Sequence, residues 1–315
     1  MARPNLFIIG APKAGTTSLY DYLAGHPQMY MSPYKEPMYF CPDVHVFRER
    51  NPFVYGEDEA AYLALFDDAT DEKRLGEATT RYLVSAEAPG LVRDFAPDVL
   101  AIAMLRNPVD LVHALHNERV SQGNEPVADF EQALDADARR AQGIDLPGAM
   151  NPRAAVYRGS ALFAEPLRRW FDALGRDRVH VIVFDDFVRD APGELRRVLE
   201  FAGVATDYQP PSFSARNPSH RQRRVVRHLV DSRVGSFVTD DVLGAVLGSN
   251  ARARLALRFR HSRLNRRSVR REPMSVALRA RLEAEFGPDV EATGALIGRD
   301  LTALWFGSEA SRRKQ

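Results

Sequence analysis

The chain has 315 residues, with 43 Lys and Arg against 42 Asp and Glu for a formal net charge of +1, and 45% hydrophobic against 27% charged residues. That balance suits a globular chain with a full core and excludes collagenous, disordered and membrane-spanning classes, since no apolar run nears the ~20 residues of a helical span. Cys41 is the single cysteine, which excludes an internal disulfide or a Cys-based zinc site; the N-terminus lacks a signal-peptide pattern, so a soluble, cytoplasmic protein is expected.

Leu6 to Ile9 is β-branched and aromatic, stops at Gly10-Ala11-Pro12, and is followed from Gly15 by helical spacing of Leu19, Tyr22 and Leu23. This pattern predicts strand, tight loop, helix. Weaker strands are predicted at Gln28 to Met31 and Leu75 to Glu77. A continuous apolar run, Leu100 to Leu105, closes at Arg106-Asn107-Pro108, with Pro108 in the first turn of a helix carrying Leu111, Val112 and Leu115. Residues 123–152 read as an insertion over the sheet edge around a short helix near Phe130 to Arg140, or as a plain connector. Tyr157-Arg158-Gly159 opens a helical run through Leu162, Leu167, Trp170 and Phe171, a core stripe by its spacing. Val179 to Phe184 is a third strong strand, and Leu195, Val198, Leu199 and Ala202 form an amphipathic helix closed by Gly203. From Arg216 to Arg271 the chain turns arginine-rich, with helical Leu and Val spacing and only Asp231, Asp240 and Asp241 as acids. Two helices, Val276 to Phe286 and Val290 to Ile297, are predicted after it.

Nearly unbroken apolar strands alternating with helices give an α/β fold: a central parallel sheet flanked by helices, with a P-loop-like phosphate-binding turn and a helical C-terminal cap. We expect one domain, with an α/β core over 1–215 and a basic helical region over 216–315. Ligands of such sheets sit outside the carboxyl ends of the strands, which directs attention to the loops after Ile9, Leu105 and Phe184.

The strongest local signal is Gly10-Ala11-Pro12-Lys13-Ala14-Gly15-Thr16-Thr17-Ser18 between strand and helix. Backbone N–H groups and the positive helix end would meet an anion there, with Lys13 adding charge and Thr16, Thr17 and Ser18 adding hydroxyls. Lys13 precedes Gly15, whereas a Walker A loop places Lys after its second Gly, so an ordinary ATPase or GTPase is disfavoured. A solvated lysine on a simple turn is the plain alternative.

At these residues the sequence resembles a family. PKAGTTSL is similar to the 5′-phosphosulfate loop of sulfotransferases that use 3′-phosphoadenosine 5′-phosphosulfate (PAPS). LRNPVD (105–110) resembles the family's 3′-phosphate motif, and KEPMYF (35–40) the segment presenting an acceptor-side glutamate in carbohydrate and bacterial branches. GEATTRYL (76–83), VIVFDDF (181–187) and GRDLTALW (298–305) are also similar to bacterial members. The likeness is weakest over 123–150 and 225–271.

The resemblance implies in-line transfer of a sulfuryl group from PAPS to a hydroxyl, or an amine, of a small-molecule or carbohydrate acceptor, with no metal and with 3′-phosphoadenosine 5′-phosphate (PAP) as product. It gives Lys13 the leaving oxygen, residues 13–18 the 5′-phosphate, Glu36 the general base, and Arg106 the 3′-phosphate. The basic run Arg216 to Arg224 resembles the loop over the nucleotide phosphates, with Arg221 and Arg223 as candidate contacts. The usual Ser eight residues after the 3′-phosphate arginine is Ala114 here. Reduced donor affinity, or substitution by His113, Asn117 or the His220 to Arg224 stretch, would follow. On the residues alone, Glu36 could equally pair with Lys35 on a solvated loop, and Tyr39, Phe40 and Tyr82 could line an acceptor pocket but fit core positions better. Tyr157 and Arg158 could face the nucleotide. The arginines from Arg252 to Arg271 carry no recognisable nucleic-acid reader motif, so no nucleic-acid partner is expected. A nucleotide-dependent kinase and a non-catalytic nucleotide-binding relative of the fold are the rival readings.

Overall fold

The computed structural model describes residues 3–44, 58–148, 150–213, 220–222, 266–268 and 273–307, with 220–222 and 266–268 described as backbone. Strands β1 (Leu6–Gly10), β2 (Met29–Met31), β3 (Arg74–Ala78), β4 (Leu100–Leu105) and β5 (Val179–Val183) form one parallel sheet in the order β2-β3-β1-β4-β5. All five are the predicted strands, with ends moved by a residue or two. Phe184 opens a helix rather than closing β5. Every residue of β1 and β4 is buried, as both-face coverage by helices requires and as their unbroken apolar runs imply.

From β1 the chain passes through helix α1 (Thr16–Leu23) to the edge strand β2, returns through α2 (Glu59–Leu63) to β3 beside β1, and crosses through α3 (Ala88–Phe95) to β4 on the other side. The direction of winding reverses at β1, and the crevice for a ligand opens at the carboxyl ends of β1 and its neighbours. Helix α4 (Pro108–Gln122) starts there. The Asn107 side chain accepts from the Val109 and Asp110 amides, and Pro108 fills the first turn, where no N–H is needed.

The insertion holds three short helices, α5 (Phe130–Asp135), α6 (Asp137–Ala141) and α7 (Pro152–Ala155), where one short helix was expected. Asp137 explains the break: its carboxylate accepts from the Tyr157 and Arg158 amides at 2.9 and 3.0 Å. The buried Arg140 grips Glu125 with two bonds of 2.7 and 2.9 Å, and the Tyr157 hydroxyl donates to Glu125 at 2.8 Å. Tyr157 is therefore core, and Arg158 is bound to Asp137 and Glu285. The helical run expected from Tyr157 is a 3-10 turn, and helix α8 (Ala164–Leu174) begins later. Its start is fixed by the Asp289 carboxylate, which accepts from the Phe163 and Ala164 amides at 2.7 and 3.1 Å.

After β5 come α9 (Phe184–Arg189) and α10 (Ala191–Ala202), closed by Gly203 in the left-handed region as predicted. The two predicted C-terminal helices are one, α11 (Val276–Ile297), which runs through Pro288. Phe286 and Val290 on either side are both seated in the core, so packing holds the helix across a local breaker. It is followed by α12 (Leu301–Phe306), whose Trp305 donates to Asp185 at 3.0 Å and accepts at its carbonyl from Asn107. In the basic region, β6 (His220–Gln222) and β7 (Arg266–Ser268) pair antiparallel, where helical spacing predicted a helical cap; most of that prediction lies outside the described residues. Ladder hydrogen bonds between distant segments override a short local pattern.

Candidate active site

The loop after β1 is shaped by backbone that only small residues tolerate easily. Gly10 and Gly15 have positive φ, as does Lys13 at 61°. A Cβ on Gly10 would sit 2.7 Å from the Leu83 Cβ and 3.0 Å from the Thr80 carbonyl, so Gly10 lets the loop lie directly on the turn that follows β3. Ala11 donates to the Met104 carbonyl at 2.7 Å, and Leu83 donates to the Ile9 carbonyl at the same distance. The loop is thus tied to both neighbouring strands. Among the described residues, the amides of Ala14, Gly15, Thr16 and Thr17 make no hydrogen bond to protein, which leaves a row of donors at the positive end of α1. Thr16 and Ser18 are buried beside them. Such a row is chemically suited to an anion.

Lys13 is partly buried, and its Nζ lies 2.8 Å from Glu118 Oε1 on α4. Glu118 is one helical turn beyond Ala114, which is buried on the same helix. Arg106, at the end of β4, donates from Nη1 to the Lys13 carbonyl at 2.8 Å and lies over the Phe184 ring at 4.9 Å. It braces the loop and keeps a guanidinium beside it. Asn117, offered as a substitute for the absent serine, donates to the His113 carbonyl at 2.8 Å. β6 packs against α4, which brings the backbone of Arg221 to that helix; Arg223 lies outside the described residues.

Glu36 follows β2 at a positive φ of 63°. Its amide donates to the Ala78 carbonyl at 2.9 Å, which places it over the end of β3. Its Oε2 accepts from the Thr80 amide at 2.9 Å and the Thr80 hydroxyl at 3.3 Å, and Lys35 Nζ lies 3.4 Å from Oε1. The pairing with Lys35 is thus present, on a carboxylate that Thr80 also holds in place. The turn that holds this carboxylate is the one Gly10 packs against, so the Lys13 loop and the Glu36 seat are built on each other.

Below Glu36 lies a cluster that no local pattern announces. The fully buried Glu77 accepts from the Tyr62 and Tyr82 hydroxyls, each at 2.8 Å, and from the Thr79 hydroxyl at 2.7 Å; Thr79 in turn accepts from the Met38 amide at 3.3 Å. Burial pushes Glu77 up to about 7 against the pull of these three hydroxyls, and the nearby charge of Glu36 adds to the rise. Tyr39, Phe40 and Tyr82 are core residues around it rather than pocket lining.

The sequence pattern of the Sulfotransferase family matches residues 4–208. The chain belongs to that family. A sulfotransferase of Alicyclobacillus acidocaldarius superposes with a TM-score of 0.72 at 30% identity, covering 97% of this chain and 100% of that one. Among curated sequences, human carbohydrate sulfotransferase 15 is 23% identical over 69% of this chain and 48% of its own length. Mouse heparan sulfate glucosamine 3-O-sulfotransferase 3A1 is 27% identical over 64% of this chain and 46% of its own. The chain spans about half the length of these curated relatives.

Sulfotransferase motifs read from the sequence thus converge on one edge of the sheet. Sequence reasoning missed Glu118, Thr80 and Glu77. Glu118 could have been found by i+4 spacing from Ala114, and Thr80 and Glu77 stand within GEATTRYL, but nothing local gives their partners.

Proposed function

We propose that the chain transfers a sulfuryl group from PAPS to a hydroxyl of a small-molecule or carbohydrate acceptor. The observation that carries this reading is the packing of the Lys13 loop on the Thr80 turn that seats Glu36, which puts a phosphate cradle with its cation next to a carboxylate. The names of the curated relatives support a carbohydrate acceptor.

In this reading the amides of Ala14 to Thr17 and the hydroxyls of Thr16, Thr17 and Ser18 hold the 5′-phosphate. Lys13 leaves Glu118 to stabilise charge on the leaving oxygen, an interaction that strengthens as the S–O bond breaks. Glu36, fixed by Thr80, takes the proton of the acceptor hydroxyl as the new S–O bond forms, a role contributing roughly 10² to 10⁴ in rate. Arg106 serves the 3′-phosphate, with Arg221, on β6 beside α4, and Arg223 as partners, since Ala114 supplies no hydroxyl. Family membership favours sulfuryl over phosphoryl transfer, and the scheme requires no metal.

Calorimetric titration with PAP and with 5′-AMP, both with chelator, tests the reading. Binding of PAP in the micromolar range that weakens at least tenfold without the 3′-phosphate is expected. Equal or absent binding of both, with Mg-dependent ATP turnover, would return the kinase reading.

A further inference from the structure

Three arginines are buried in the described residues: Arg81, Arg119 and Arg140. Arg140 is neutralised by Glu125 through two bonds. Arg119 donates to the Ala154 and Ala155 carbonyls and lies over the Tyr157 ring at 4.5 Å. Arg81 is 5% exposed and, among the described residues, makes one hydrogen bond, from Nη1 to the Ser160 hydroxyl at 3.1 Å, and no ion pair. Its remaining nitrogens are not sealed in packed protein, since none is a fully covered atom without a partner. A guanidinium has five donors in a planar fork, and a buried cation that spends one of them on a neutral hydroxyl costs stability. Burial draws it down to about 10, with Arg119 adding to the fall, while the charges of Glu36 and Glu118 oppose it.

Those two carboxylates mark the two ends of the reaction. Glu118 is bonded to Lys13 at the leaving end, and Glu36 is bonded to Thr80, the residue before Arg81, at the acceptor end. Arg81 leaves the same turn, whose Thr80 seats Glu36 and whose Thr80 carbonyl lies against Gly10 of the Lys13 loop, so its chain position joins the two ends. We propose that Arg81 binds the sulfonate of the donor, meeting its non-bridging oxygens between Lys13 and Glu36. The inference rests on PAPS as the donor. During transfer the S–O bond to the phosphate breaks with its electron pair going to PAP, the bond to the acceptor oxygen forms, and the proton goes to Glu36. Arg81 stays protonated throughout and stabilises oxygens whose charge shifts as sulfur passes.

The test needs no acceptor: the dissociation constants of PAPS and PAP are measured for the wild type, Arg81→Gln and Arg81→Lys. Arg81→Gln should lower the preference for PAPS over PAP at least tenfold while PAP affinity stays within about twofold. Arg81→Lys should keep most of that preference, and Arg81→Gln should melt at or above the wild-type temperature, since an under-compensated buried charge has been removed. An unchanged PAPS-to-PAP ratio in Arg81→Gln, with a lowered melting temperature, would make Arg81 a structural residue and overturn the inference. Failure of the wild type to bind PAP would instead overturn the donor assignment, and the inference with it.

Discussion

At the end of the cleft proposed for the donor, charge is held against charge: Lys13 sits on Glu118, and Arg106 braces the loop carbonyl. At the acceptor end, Glu36 is seated by the Thr80 amide and hydroxyl, with Lys35 alongside, above a buried glutamate ringed by hydroxyls. The difference fits the roles proposed for the two ends. A cation waiting for an anionic donor can be stored on a carboxylate that the ligand displaces, at modest cost because the pair is partly exposed. A base must keep its orientation through the reaction, and the Thr80 amide and hydroxyl fix one oxygen of Glu36 while Lys35 pairs with the other. Raising Glu77 to about 7 also limits the negative charge that would repel Glu36.

The comparison can be broken at either end. The largest effect is expected for Glu36→Gln, which should cut turnover by roughly 10² to 10⁴ with PAP affinity nearly unchanged, as steady-state rates and calorimetry would show. Near wild-type turnover would remove Glu36 as the base. Lys13→Ala should lower kcat by about 10² to 10³ with an unchanged melting temperature. Ala114→Ser should tighten PAP binding by about tenfold or more, the worth of a hydrogen bond to a charged group; no change would show that the position does not face the 3′-phosphate. Glu118→Gln should tighten donor binding by about two- to fivefold, since a half-exposed pair is worth less than ~1 kcal/mol, and weaker binding would show Glu118 to be a support rather than a stand-in for the donor.

The smallest effect is a pH signature. Because the folded-state pKa of Glu77 is raised, its contribution to stability is fully present below its ordinary value of 4.5 and is lost as pH rises to about 7. The melting temperature should therefore fall across that window in the wild type and fall less in Glu77→Gln. The buried Glu125 is the internal control: its pairing with Arg140 holds it below the ordinary value, so its contribution is lost only as pH falls below 4.5.

The order and type of the main elements were legible because they are strongly patterned. Leu6–Gly10 and Leu100–Leu105 are unbroken apolar runs bounded by turn residues, the pattern of strands covered on both faces, and the loop from Gly10 to Ser18 carries the glycines, lysine and hydroxyls expected of an anion site. The break at Ala136, the late start of α8 and the continuity of α11 through Pro288 were not legible. Each depends on a carboxylate or an apolar side chain far away in sequence, Asp137 on residues 157 and 158, Asp289 on 163 and 164, and Phe286 with Val290 on the core.

For the site, the sequence by itself determined which residue types stand at the strand ends, because a tight turn into a helix needs glycine and an anion needs amides and cations. Only the tertiary structure decided which of them meet. The parallel register brings Ile9 to Leu83 and Ala11 to Met104, and so carries the Lys13 loop onto the Thr80 turn. It also buries Glu77 among three hydroxyls and Arg81 beside a single one, since burial and pairing are properties of neighbours that sequence spacing does not contain.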